Sequence, residues 1–262
     1  MWTGSSRAAA AVTSGVPRSA LLAAWLRAWR AGLASFDELV DHFADPGVEE
    51  TAEDLPGQLA AAPLRIALTA FSTVPAARIR VVLPAAGDPR GLPGPGPFTS
   101  AALAAGEAVV CGDTGLVPRT ETRRSGSGDH WEVITWRGYP VPAAPPDPLT
   151  VPEAEHDLLL ALRESADALI RLDVARWRPE LAGALTGLRN AEPESALPPG
   201  YGPRCHRVLA KAVTVSQILE LAAGDAPGGA VTAWEAAERD AVLRPLAVAA
   251  RRALVSAVNA PL

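Results

Sequence analysis

Arg137-Gly138-Tyr139-Pro140-Val141-Pro142-Ala143-Ala144-Pro145-Pro146-Asp147-Pro148-Leu149-Thr150-Val151-Pro152 parts this chain into two kinds of sequence. Six prolines fall between positions 140 and 152. Each proline fixes φ and removes a backbone donor, so residues 140–149 read as an extended, polyproline-like linker. Upstream of it, short apolar runs alternate with turn-forming segments. Downstream, apolar residues recur at helical spacing to the end. The pattern predicts an α+β protein. A small mixed β-sheet with helices spans residues 19–139, and an all-α, four-helix bundle-like part spans 150–262. A disordered Ala/Ser/Gly-rich tail precedes them at 1–18.

The downstream half opens on Thr150-Val151-Pro152-Glu153, a capping box with proline in the first helical turn. Leu158, Leu162, Ala166, Leu169 and Leu172 share one face of the helix it starts. Trp177, Leu181, Leu185 and Leu188 mark a second helix. Cys205, Val208, Ala212, Val215, Leu219 and Ala222 mark a third. Thr232-Ala233-Trp234-Glu235 caps a fourth, which Pro245 should kink.

In the upstream half a helix is expected over 19–33, with Leu22, Leu26, Trp29 and Leu33 on its buried stripe and Arg27 and Arg30 turned away. Ser35-Phe36-Asp37-Glu38 is a second capping box, opening a helix that ends near Phe43. The acidic run Glu49, Glu50, Glu53, Asp54 reads as a solvated turn. Leu64–Phe71 fits helix and strand equally. Arg78–Leu83 and Glu107–Cys111 read as buried strands. Leu116–Thr122 and His130–Arg137 read as a hairpin closed by Arg123-Arg124-Ser125-Gly126-Ser127-Gly128-Asp129.

Composition removes several function classes. The net charge is −5, and 23 of the 24 basic residues are arginine. Basic and acidic side chains number 12 and 15 before position 150, and 12 and 14 from there on, so neither half is a basic module and nucleic acid is not an expected partner. Cys111 and Cys205 are isolated, without disulfide or zinc spacing, and point to a reducing cytoplasm. No stretch is long and apolar enough to span a bilayer. Walker A, nucleophile-elbow, H-E-x-x-H and Rossmann signatures are absent from the sequence.

The main candidate site is the loop leaving the strand at Val81-Val82-Leu83-Pro84. Nine Gly or Pro residues fall from Pro84 to Pro97, so the loop has a specified path. Asp88 and Arg90 are its charged side chains, and Gly91 and Gly94 shape it. Arg could clamp an anion and Asp could act as acceptor or base, yet an Asx turn and a solvated guanidinium account for the same residues. Arg176, Trp177 and Arg178 form a candidate partner-binding corner. Cys205-His206 begins a helix, but adjacent helical residues diverge too far for a nucleophile–base couple. His42, His130 and His156 read as helix-end or surface residues. No cofactor and no metal are implied.

Two passages carry a resemblance: Arg80-Val81-Val82-Leu83-Pro84 with Gly87-Asp88-Pro89-Arg90-Gly91-Leu92-Pro93-Gly94-Pro95, and Leu172-Asp173-Val174-Ala175-Arg176-Trp177-Arg178-Pro179-Glu180. Together they resemble an uncharacterised, alanine- and proline-rich protein family of GC-rich bacteria. That resemblance implies no activity, cofactor or site residue. The residues themselves favour a non-catalytic protein-interaction or structural module. The alternative is a small-molecule-binding enzyme or sensor using loop 87–98. A protein partner is expected, and homo-oligomerisation is compatible with the sequence.

Overall fold

The computed structural model describes residues 15–58, 60–126, 130–142, 149–171, 197–224 and 233–262. The fold is α+β with a six-stranded mixed sheet. The chain divides into two units. Among the described residues, the first holds 15–142 together with 197–202 and 261–262, and the second holds 149–171, 203–224 and 233–260.

In the first unit, helix α1 (Arg18–Arg30) is Ala/Leu-rich almost all round, and such a helix belongs inside a core. Ser19 through Ala24, Leu26, Arg27 and Ala28 are all buried. The helix ends at Arg30, three residues before the expected end; Gly32 follows with φ of 73°, and Leu33 is exposed. Arg27 is buried rather than turned away: its Nη1 donates to the Tyr201 hydroxyl at 3.2 Å, and its guanidinium lies over the Tyr201 ring. A buried cation is tolerable only with such partners.

Ser35 caps α2 (Phe36–His42) through the expected box, its Oγ accepting from the Glu38 N–H while Glu38 accepts from the Ser35 N–H. The acidic run is not a turn. Val48–Glu53 forms strand β1, paired antiparallel to β2 (Ala62–Pro63) and parallel to β6 (His130–Pro140). Leu64–Phe71 is helical, α3 (Leu64–Ala67) running into a tighter turn at Leu68–Phe71.

Strands β3 (Ile79–Val82), β4 (Ala108–Cys111) and β5 (Thr114–Arg124) complete a sheet of order β2-β1-β6-β5-β4-β3. The β5–β6 hairpin pairs antiparallel without interruption from Thr114↔Pro140 to Arg124↔His130. Helix α4 (Pro97–Ala105) covers one face, where Phe98 and Ala102 pack with Val82, Ala108, Val110, Val117 and Val141. The other face (Ile79, Val81, Val109, Cys111 and Leu116) is equally buried, and α1 packs against β3, β4 and β5. Gly115 is needed beneath α4, because a Cβ there would collide with the Phe98 ring.

The second unit contains α5 (Val151–Arg171), α6 (Pro203–Gly224) and α7 (Ala233–Asn259) among its described residues. Both α5 and α6 pack on α7. Thr150 and Glu153 close the expected capping box at α5. Arg204 donates to Glu155 at 2.8 Å, and the Ser256 hydroxyl donates to the Leu149 carbonyl at 3.1 Å. Pro245 lies within α7. The helix expected around Trp177–Leu188 and the cap at Thr232 lie outside the described residues.

Candidate functional site

Loop 84–96 is tied down along its length. Ala85 and Asp88 exchange backbone hydrogen bonds at 2.9 and 3.1 Å around Gly87, whose φ is 81°. Gly91 combines φ of 79° with a close approach: an added Cβ would stand 2.8 Å from Val82 Cγ1. Leu92 packs on the apolar cluster beneath α4. The Thr99 hydroxyl donates to the Gly94 carbonyl, joining the loop to the first turn of α4. Asp88 is buried and lies 3.6 Å from Arg90 Nε, while the Arg90 side chain is half exposed. Gly91 and Gly94 thus serve the path of the loop, as strand exit and helix entry require.

A second group of polar side chains is gathered where α1, α2, β1 and β6 meet. The sequence gives no local hint of it. Glu50 is almost wholly buried; its Oε1 accepts from Arg18 and its Oε2 accepts from Trp136 Nε1 at 2.8 Å. The Arg18 guanidinium lies 4.8 Å over the Phe43 ring. His42 stacks on Trp25 with centroids 4.7 Å apart and meets the Phe43 ring edge-on. Burial first, and the Arg18 charge second, push the His42 pKa down from 6.5 to about 4, so it is neutral at pH 7. Charge-assisted bonds tie α1, β1 and β6 together, and the His42 ring packs α2 against Trp25 of α1.

Cys111 is fully enclosed in β4, and burial raises its thiol pKa, which removes the reactive thiolate. Cys205 is buried in α6. Cys111 belongs to the first unit and Cys205 to the second. His130 is exposed at the start of β6, and His156 is exposed on α5. Arg176, Trp177 and Arg178 lie outside the described residues. Among the described residues, no three His, Cys, Asp or Glu side chains converge as a metal site. No described helix is long and apolar enough to cross a membrane.

The remaining feature is a strand edge. β4 pairs with β5 only over Thr114–Leu116, so beyond that point β5 has β6 as its single neighbour in the sheet among the described residues. Arg119 through Arg124 are all exposed, on both faces of the strand. An edge of this kind presents backbone donors and acceptors to whatever approaches it. The sequence reading places Arg123-Arg124 in the closing loop and ends the strand at Thr122, whereas β5 runs on to Arg124.

Relatives among known proteins cover nearly the whole length of this chain. It is 30% identical to "Uncharacterized protein Rv1486c" of Mycobacterium tuberculosis (strain ATCC 25618 / H37Rv), covering 92% of this chain and 96% of that protein. It is also 30% identical to "Uncharacterized protein ML1804" of Mycobacterium leprae (strain TN), over 70% of this chain and 67% of that one. No solved structure matches. Residues 19–151 match the N-terminal domain and residues 152–255 the C-terminal domain of one family, the two matches meeting within the first turn of α5, and the chain belongs to that family, described as Rv1486c-like protein.

Proposed function

We propose that this protein is a non-catalytic interaction module of the cytoplasm, with a sheet domain at 19–139, a helical bundle at 150–262 and the outer edge of β5 as its contact surface. One observation carries the reading: six consecutive residues, Arg119–Arg124, are exposed on both faces of a strand that has a single neighbour among the described residues. Extended partners add to such edges through main-chain hydrogen bonds. Three of the described groups that chemistry could use are committed to the fold. Glu50 is held by Arg18 and Trp136, His42 is packed against Trp25, and Cys111 is sealed in the sheet.

The rival reading, a small-molecule-binding enzyme or sensor at loop 87–98, draws on the half-exposed Arg90 beside Asp88. Two experiments separate them. A photo-crosslinking residue at Thr120 or Thr122, introduced in host cells, should yield protein adducts of discrete mass, whereas one at exposed Ser100 should not. No adduct from either strand position overturns the edge as the contact surface. In a thermal-shift panel of metabolites, wild-type protein and an Asp88→Ala/Arg90→Ala variant should behave alike. A metabolite that stabilises only the wild type establishes the rival.

A further inference from the structure

We infer that the partner of the β5 edge is a second copy of this chain, paired antiparallel about Thr122; the inference rests on the interaction reading above and gives it an occupant.

The direction of the backbone groups along β5 follows from three independent bonds. Cys111 and Thr114 close a two-residue hairpin, and the closing pair of such a turn points its N–H and C=O at each other. Thr114 therefore faces β4, and every second residue after it faces the same way. Two further bonds agree with this phase: Val141 N–H donates to the Asp113 carbonyl at 2.8 Å, and Glu132 N–H donates to the Gly47 carbonyl at 3.0 Å. The ladder to β6 keeps its register throughout. Thr120, Thr122 and Arg124 consequently direct their N–H and C=O to the open edge, while Arg119, Glu121 and Arg123 bond to β6. Pro118 is in phase with this arrangement, its missing donor falling on the open side beyond the end of β4.

Charge selects one way for two such edges to meet. On the face shared by Arg119, Glu121 and Arg123, the signs run plus, minus, plus. Antiparallel pairing centred on Glu121 sets glutamate against glutamate and Arg119 against Arg123. Centring on Arg123 sets arginine against arginine. Like charges directly opposite are destabilising. Centring on Thr120 matches the charges but places Pro118, which has no N–H, at a hydrogen-bonding position opposite Thr122. Centring on Thr122 sets each Glu121 against Arg123 of the second copy, at the closer non-hydrogen-bonded positions. It also sets Thr122 against Thr122 and Thr120 against Arg124, as three bonded pairs with about six main-chain bonds. Arg119 bonds Glu121 through Oε1 at 2.7 Å, which leaves the other carboxylate oxygen for the opposing Arg123.

Sedimentation equilibrium over a micromolar concentration series tests this. The wild-type chain should reach twice its monomer mass. Thr122→Pro removes an outward donor without touching the ladder to β6, and should be monomeric. Glu121→Arg and Arg123→Glu should each be monomeric alone, because each sets like charges opposite one another. Mixed in equal amounts they should dimerise again, since every cross-strand pair is then Arg against Glu. A monomeric wild type, or a dimer indifferent to all three substitutions, overturns the inference. Monomeric wild type together with a Thr122 cross-link to a different protein overturns this partner and keeps the interaction reading. Monomeric wild type with no cross-link overturns both.

Discussion

Glu50 shows how far a single residue's role departs from its local sequence. Within Val48-Glu49-Glu50-Thr51-Ala52-Glu53 nothing distinguishes it from the neighbouring acids. In the fold it is buried, its two oxygens shared between Arg18 and the Trp136 indole. Removing one member of a buried pair leaves the other charge uncompensated. Glu50→Gln should therefore lower the unfolding free energy by about 3 kcal/mol in urea titrations. Glu49→Gln, on the opposite face of the strand, should change it by well under 1 kcal/mol, on the order of ordinary surface substitutions.

His42 gives the fold a dependence on pH of definite sign. Its pKa is about 4 in the folded chain and 6.5 when unperturbed, because burial and Arg18 both oppose the cation. Between these values the unfolded chain binds more protons than the folded one. Stability is thus complete above pH 6.5 and is lost as the pH falls toward 4. Its partly exposed edge reduces the loss to on the order of 2 kcal/mol. His42→Phe, which keeps a ring on Trp25, should flatten the stability profile across that window. An unchanged slope would show that other groups govern it.

At the scale of elements, close approach is decided by glycine at two neighbouring places in the hairpin, Gly115 under the Phe98 ring and Gly138. Gly138, opposite Leu116 in the ladder, lies under the Asp54 carbonyl, and Asp54 itself has φ of 58° as the chain leaves β1. A Cβ at Gly138 would collide with that backbone oxygen, which no rotamer change can move aside. Gly138→Ala should cost about 3 kcal/mol or more, since the backbone must shift. Gly126, with open space where its Cβ would be, serves as the control, and Gly126→Ala should leave the melting temperature unchanged.

These elements were unequally legible. Capping boxes at Ser35 and Thr150 are local bonds written in consecutive residues, and both form as read. The strands at Ile79–Val82 and Ala108–Cys111 are buried on both faces, so their short apolar runs were enough to find them. β1 escaped because its stability comes from pairing with β6, eighty-odd residues away, and from Glu50's partners rather than from apolar alternation. β5 runs two residues past Thr122 for a similar reason: Arg123 and Arg124 are extended because β6 supplies their ladder, whatever their own preference.

For the molecule as a whole, one contact in the first unit spans 174 residues, joining α1 to residues 197–202. Tyr201 is buried against Arg27, and Gly200 sits against Leu33 with φ of 101°. A segment that linear reading assigns to the helical half thus completes the sheet-bearing unit. Tyr201→Phe removes one hydrogen-bond partner of a buried guanidinium, and should destabilise the protein by about 1–2 kcal/mol while leaving the urea m-value unchanged.

The α+β class, a mixed sheet, the β5–β6 hairpin, the helix starts at Ser35 and Thr150 and the shaped course of loop 84–96 were determined by sequence alone. They depend on periodicity, on proline and glycine geometry and on bonds spanning three or four residues, all of which act locally. Tertiary structure alone decided the parallel β1–β6 pairing, the burial of Arg27, the pairing of Arg18 with the enclosed Glu50 carboxylate, the neutral state of His42 and an edge of β5 left open by the described residues. Each of these turns on which distant chain segment comes to lie alongside, and the desolvation and charge pairing that follow have no counterpart in the order of residues.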